Sequence, residues 1–119
     1  MSVAAILLAA GESYRMGTPK PLLEWGGSTL VKYQLVQLKG PPVDRVVVVL
    51  GYGADVIRPL VHGASADVVI NERYTEGRAS SLQVGAAALG EDTEAVLVLN
   101  VDQPRPRRII ERLLREHQR

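Results

Sequence analysis

The sequence contains no cysteine and no phenylalanine, and only 4% of its residues are aromatic. The missing cysteine excludes disulfides and thiolate metal sites and fits a reducing compartment. With so few aromatic residues, the core has to be built from Val, Leu, Ile and Ala. Branched aliphatics suit strands buried on both faces, as in a parallel sheet. Nor does either sign of charge dominate: the formal net charge of +1 gives no reason to expect a broad nucleic-acid surface. Arginines do gather near the C-terminus (Arg105, Arg107, Arg108, Arg112, Arg115, Arg119), and they read as a solvated helix face. No apolar run is long enough to span a bilayer. The opening Met1 to Ala10 could pass for the core of a signal peptide, but it lacks a basic start and runs straight into Gly11-Glu-Ser-Tyr-Arg15. The expectation is a cytoplasmic protein with no membrane and no nucleic-acid partner.

What the sequence does have is 46% apolar residues in 119, enough for one core, so residues 1–119 read as one domain. Short apolar runs alternate with longer helical patterns. Val3 to Leu8 reads as a first buried strand, Val46 to Leu50 as a second, Asp67 to Ile70 as a third and Ala95 to Val101 as a fourth. Between them, Thr29 caps a helix with Leu30, Tyr33, Leu35 and Leu38 as its apolar positions, stopped by Gly40-Pro41-Pro42. Ala54 to Val61 is a short helix that has to accommodate Pro59, and Ser80 to Leu89 is another. Ile109, Ile110, Leu113 and Leu114 mark a last helix on a narrow stripe. Such alternation predicts βαβ units and a parallel α/β sheet, and right-handed crossovers select the strand order 3-2-1-4. That order reverses direction between strands 1 and 4. Ligands in open sheets of this kind bind beyond the carboxyl ends of the strands at that reversal. The segment after strand 1 and the segment Asn100 to Pro104 are therefore the candidate sites.

Residues 11–28 hold four glycines, two prolines and several charges, and read as a long loop, a feature usually tied to function. Gly11 permits a tight turn in which consecutive N–H groups can point at a phosphate, and Arg15 and Lys20 add two cations. A triphosphate needs this combination, because its oxygens must be hydrogen-bonded and its charge offset before a nucleophile can approach. Two common phosphate motifs do not fit. Five residues separate Gly11 from Gly17 and Lys20 is displaced, against the P-loop, and no Gly-x-Gly-x-x-Gly pattern occurs.

The segment Leu8-Ala-Ala-Gly11-Glu-Ser13-Tyr-Arg15-Met-Gly17-Thr-Pro-Lys20 resembles the signature of the MobA-like nucleotidyltransferases at every fixed position. Asn71, then Gly77-Arg-Ala-Ser80-Ser81-Leu82-x-x-Gly85, then Val101-Asp102-Gln103-Pro104 resemble the family's later nucleotide-site motifs in order and spacing. The resemblance implies a three-layer, Rossmann-like fold of the nucleotide-diphospho-sugar transferase type. It implies that Leu8, Ala9, Ala10, Gly11 and Ser13 hold the nucleotide through the turn, and that Arg15 and Lys20 offset the charge of its phosphates. Ser80 and Ser81 would contact base and ribose, and Asn71 would orient the base, although serines before a helix also serve as N-caps and Asn71 can equally close a turn. Asp102 matches the family's magnesium ligand, and a carboxylate following an apolar strand at the sheet reversal suits Mg²⁺, which takes one or two carboxylates with phosphate oxygens and water. The implied reaction is transfer of a nucleoside monophosphate from an NTP to a phosphorylated small-molecule acceptor. Within the family, Leu8-Ala-Ala-Gly11 resembles the cytidylyltransferases, whereas guanylyltransferases tend towards Leu-Ala-Gly-Gly, so the resemblance implies CTP over GTP and a molybdenum-cofactor cytidylyltransferase with a molybdopterin-type acceptor.

The family pattern continues past Asp102, and the chain stops one helix later. The expectation is an incomplete domain whose fourth strand forms a sheet edge, open to pairing with another copy or with the remaining half. A sugar-phosphate nucleotidyltransferase shares the fold but usually carries Gly where Ser13 stands. A non-catalytic nucleotide-binding or assembly module is the other alternative, and it predicts Mg·NTP binding without pyrophosphate release.

Overall fold

The computed structural model describes residues 3–11, 14–15, 18–25, 27–40, 42–61, 66–91, 93–101 and 106–117. Four apolar runs form the strands β1 (Val3–Ala9), β2 (Arg45–Leu50), β3 (Asp67–Ile70) and β4 (Ala95–Asn100). They pair in the order β3-β2-β1-β4, every pair parallel, with Ile6 level with Val47 on one side and Val98 on the other. This is the order expected from right-handed crossovers. All seven residues of β1 are buried, as a central strand covered on both faces requires.

The pleat divides the core in two. Val3, Ala5, Leu7 and Ala9 face one layer, made of α1 (Leu30–Leu38), α2 (Ala54–Val61) and α4 (Arg107–His117). Ala4, Ile6, Leu8 and Ala10 face the other, which contains α3 (Arg78–Leu89). Helices on both sides of a parallel sheet make the three-layer architecture expected. Thr29 caps α1 as predicted, its Oγ1 accepting from the Lys32 amide at 3.4 Å. Gly40, at φ +93°, lies just past the Lys39 C-cap. Pro59 is accommodated inside α2. Arg107, the first residue of α4, donates to the carbonyls of Gln37, Lys39 and Gly40 at 3.0, 2.6 and 3.0 Å. A cation there satisfies the orphan carbonyls at the end of α1 and ties α4 to it.

Three details depart from the sequence expectation. The segment after β1 is not a bare loop: Tyr14–Arg15 pairs antiparallel with Thr18–Pro19 and Glu24–Trp25 with Ser28–Thr29, with a 3₁₀ turn at Lys20–Leu22 between them. Leu22 packs on the main core, and the Leu23 carbonyl accepts from the Leu30 amide at 2.7 Å. Also, α3 starts at Arg78, two residues before Ser80, because Gly77 at φ +103° is its N-cap. On α1, Val31 and Gln34 are buried beside the expected leucines, and Tyr33 is only half-buried.

As expected, β4 lies at an edge of the four-stranded sheet, where Val96 is 47% exposed. Among the described residues no helix is long and apolar enough to cross a membrane.

Candidate active site

The sheet reversal between β1 and β4 opens a cleft of about 350 Å³. Its floor is the end of β1 and the turn that leaves it, Leu8, Ala9, Ala10 and Gly11; one wall is Asn100 and Val101; the other is Tyr74, Gly77, Arg78 and Ser81. The β1–β4 ladder runs one step beyond the strand itself, since the Val101 amide donates to the Leu8 carbonyl at 3.0 Å. On the other side the Tyr52 amide donates to the Ala10 carbonyl at 2.9 Å, which ties the turn to the end of β2. Gly51 makes this junction possible. A Cβ there would stand 2.7 Å from the Tyr74 Cβ and 2.9 Å from the Ala10 carbonyl oxygen, so only glycine lets Tyr74 close over the turn. The Tyr74 ring meets Tyr52 edge to face, with centroids 6.0 Å apart.

Asn71 organises the second wall from behind. It is 2% exposed, and its Nδ2 donates to Ser80 Oγ and Ser81 Oγ, both at 2.9 Å. Its Oδ1 accepts from the Arg73 amide at 3.0 Å. Ser80 Oγ lies 2.7 Å from the Gly77 carbonyl and 3.1 Å from that of Arg73, so its one proton is engaged within the turn. Ser81 differs. Its oxygen accepts from Asn71, it lines the cleft, and among the described residues its own O–H meets no acceptor. Of the three polar residues singled out here, one therefore faces the cleft and two hold it in place. Asn71→Ala is expected to lower stability by about 2–3 kcal/mol, because it strands the Arg73 amide and removes the donor to both serine oxygens. Urea denaturation measures it; a change under about 0.5 kcal/mol would mean that the two walls stand without this network.

Leu8, Ala9, Ala10 and Gly11 come together in the cleft as the sequence suggested. The backbones of Arg15 and Lys20 belong to the first ribbon and the 3₁₀ turn of the same segment. Ser13 and Asp102 lie outside the described residues, as does His62. Val101, which precedes Asp102 in the chain, is part of the cleft wall. Among the described residues no group of three metal-ligating side chains occurs. Tyr74 and Gln34 carry parts of the site that sequence reasoning passed over, while Asn100 and Arg78 fell within segments it singled out but received no role of their own. A role for Arg78 was legible as a cation opening a helix after glycine, and one for Asn100 as a polar end to an apolar strand.

A parallel α/β sheet with a glycine turn and a cleft at its reversal is the frame in which open α/β domains bind ligands. The chain belongs to the MobA-like NTP transferase domain family, whose sequence profile matches residues 5–119. It is 36% identical over 108 residues to the bifunctional protein GlmU of Corynebacterium aurimucosum, covering 85% of this chain and 22% of GlmU. To nicotine blue oxidoreductase of Paenarthrobacter nicotinovorans it is 35% identical over 103 residues, covering 86% of this chain and 50% of that one. A solved nucleotidyl transferase from Methanothermobacter superposes with a TM-score of 0.78 at 29% identity, over 92% of this chain and 57% of that one. The chain thus spans half or less of the length of these two curated relatives. One relative bears the name of an oxidoreductase, so the shared frame serves more than one chemistry.

Proposed function

We propose that the chain is the nucleotide-binding part of an enzyme that moves a nucleoside monophosphate from an NTP, CTP in preference to GTP, to a phosphorylated acceptor of the molybdopterin type. The observation that carries this reading is the cleft at the carboxyl ends of β1 and β4, floored by Leu8 to Gly11, where open parallel sheets hold nucleotides. The acceptor phosphate oxygen attacks the α-phosphorus; a new P–O bond forms there as the bond to the β-phosphate oxygen breaks and pyrophosphate leaves. Backbone N–H groups of the turn at Ala10 and Gly11 hydrogen-bond the phosphates, and Arg15 and Lys20 offset the charge that accumulates on pyrophosphate. Ser81 donates its O–H into the cleft, towards the nucleoside. Asp102, next in the chain to the cleft-lining Val101, would hold Mg²⁺, which supplies charge neutralisation on the triphosphate oxygens when bound. Positioning and electrostatics carry such a transfer, so no acid–base pair is required.

Calorimetric titration of the chain with Mg·CTP and, separately, Mg·GTP tests the reading. The expected result is saturable CTP binding, at least about tenfold tighter than GTP, that disappears in Asp102→Ala. A folded protein that binds neither nucleotide would overturn it. A second reading, a module that binds nucleotide without turning it over and assembles through β4, is favoured by the exposed Val96 on that edge. It predicts the same titration but no pyrophosphate release, and a dimer by light scattering.

A further inference from the structure

Gln34 occupies a position where an amide is unfavourable. It lies on α1 among Leu30, Val31, Leu35 and Leu38, and is 1% exposed. Its Nε2 donates to the carbonyls of Asn100 and Val101 at 3.0 and 2.8 Å, across 66 and 67 residues of sequence. Its Oε1 has no partner among the described residues. A methionine would fill similar space with no amide to desolvate, so packing alone does not call for glutamine here. The two carbonyls it grips are those at which β4 ends in the cleft wall. From the opposite layer, Arg78 Nε donates to Asn100 Oδ1 at 3.1 Å. A chain of hydrogen bonds therefore crosses the sheet edge from α1 to α3, Gln34 to Asn100 to Arg78, and ends on a guanidinium in the cleft.

We infer that Gln34 is a positioning residue for this cleft: by fixing Asn100 it aims Arg78 as an anion-recognising cation for the phosphates of the bound nucleotide. The inference rests on the reading of the cleft as a nucleotide site. Holding Asn100 by its own carbonyl and by that of the next residue restricts the backbone from which its side chain springs. Among the described residues nothing engages the two terminal nitrogens of this guanidinium, which is tied through Nε and can turn them to phosphate oxygens, a geometry that lysine does not offer. Arg78 is also the first residue of the twelve-residue α3, so an anion there meets the positive end of the helix dipole. An arginine held before the ligand arrives loses less side-chain freedom on binding.

The test is titration of the full chain with Mg·CTP for the wild type, Gln34→Met, Arg78→Gln and the double variant. Each single substitution is expected to weaken binding about tenfold, and the double no more than Arg78→Gln alone, because Gln34 acts through Arg78. Wild-type affinity in Gln34→Met, or losses that multiply in the double variant, would overturn the inference. Gln34→Leu removes both donors at similar volume, and should bind as weakly as Gln34→Met. If Gln34→Met does not fold, Asn100→Ala breaks the same chain from its middle and carries the same expected loss and the same overturning result. If the wild type binds no nucleotide, the functional reading falls and hydrogen exchange decides the positioning role. Gln34→Met must then speed amide exchange over residues 96–101 relative to residues 46–50, and unchanged exchange would sink the inference.

Discussion

Gly85→Val is expected to destabilise the protein by about 3 kcal/mol and to lower its melting temperature by about 10 °C, a large share of the stability typical of a domain this size. Gly85 lies in the interior of α3, where alanine would ordinarily be better by about 1 kcal/mol. The packing reverses that preference. A Cβ at this position would stand 2.9 Å from Ile6 Cγ2 and 3.0 Å from Val49 Cγ2, and both of those side chains are fully buried in the central strands. Neither can swing away, since each is β-branched and enclosed between α3 and the sheet. Valine adds two further methyl groups to the overlap, so α3 has to lift off the sheet. Gly85→Ala is expected to cost about 1 kcal/mol net, with overpacking outweighing the helix-propensity gain. Thermal denaturation followed by circular dichroism measures both. Unchanged melting of the valine variant would show that α3 can move outward freely. Because α3 also carries Arg78 and Ser81 into the cleft, the same displacement should weaken nucleotide binding.

Lys20→Ala should reduce turnover by about two to three orders of magnitude while leaving the melting temperature within about 2 °C of the wild type. The first figure is the usual loss when one preorganised group that stabilises transition-state charge is removed. The second follows from where the segment is anchored. Among the described residues, its attachments include the buried Pro21, Leu22 on the main core and the Leu30 amide on the Leu23 carbonyl, none of which is itself substituted. Pyrophosphate release from Mg·CTP with molybdopterin as acceptor gives the rate, and a parallel melt gives the stability. Comparable losses of both would assign Lys20 to the fold and remove it from the chemistry, whereas unchanged turnover would remove it from the site.

Reading the chain without its structure goes a long way where the cause is local. Apolar runs with period two or none, separated by helical patterns, predict four parallel strands, because strand and helix place their side chains at different intervals. Thr29 is recognisable as a cap because capping depends on a residue and the amides just after it. The floor of the cleft, Leu8 to Gly11, follows from a buried strand ending in a glycine turn. The walls do not follow in this way. Ser80 and Ser81 are neighbours in sequence, yet the helix turns them about 100° apart, and only one faces the cleft. Asn71, placed by sequence on the turn after β3, is a hub because the start of α3 folds back over it.

By itself, then, the sequence determined the sheet order, the two segments that meet at the reversal and the family to which the domain belongs. These depend on hydrophobic period, chain connectivity and a dense local motif. Only the tertiary structure decided that Gln34 reaches the end of β4, that Gly51 admits Tyr74 over the turn, and that Asn100 holds Arg78. The physical reason is distance along the chain. Those contacts join residues separated by 22 to 67 positions, and they exist only once α1 and α3 are stacked on opposite faces of the same sheet.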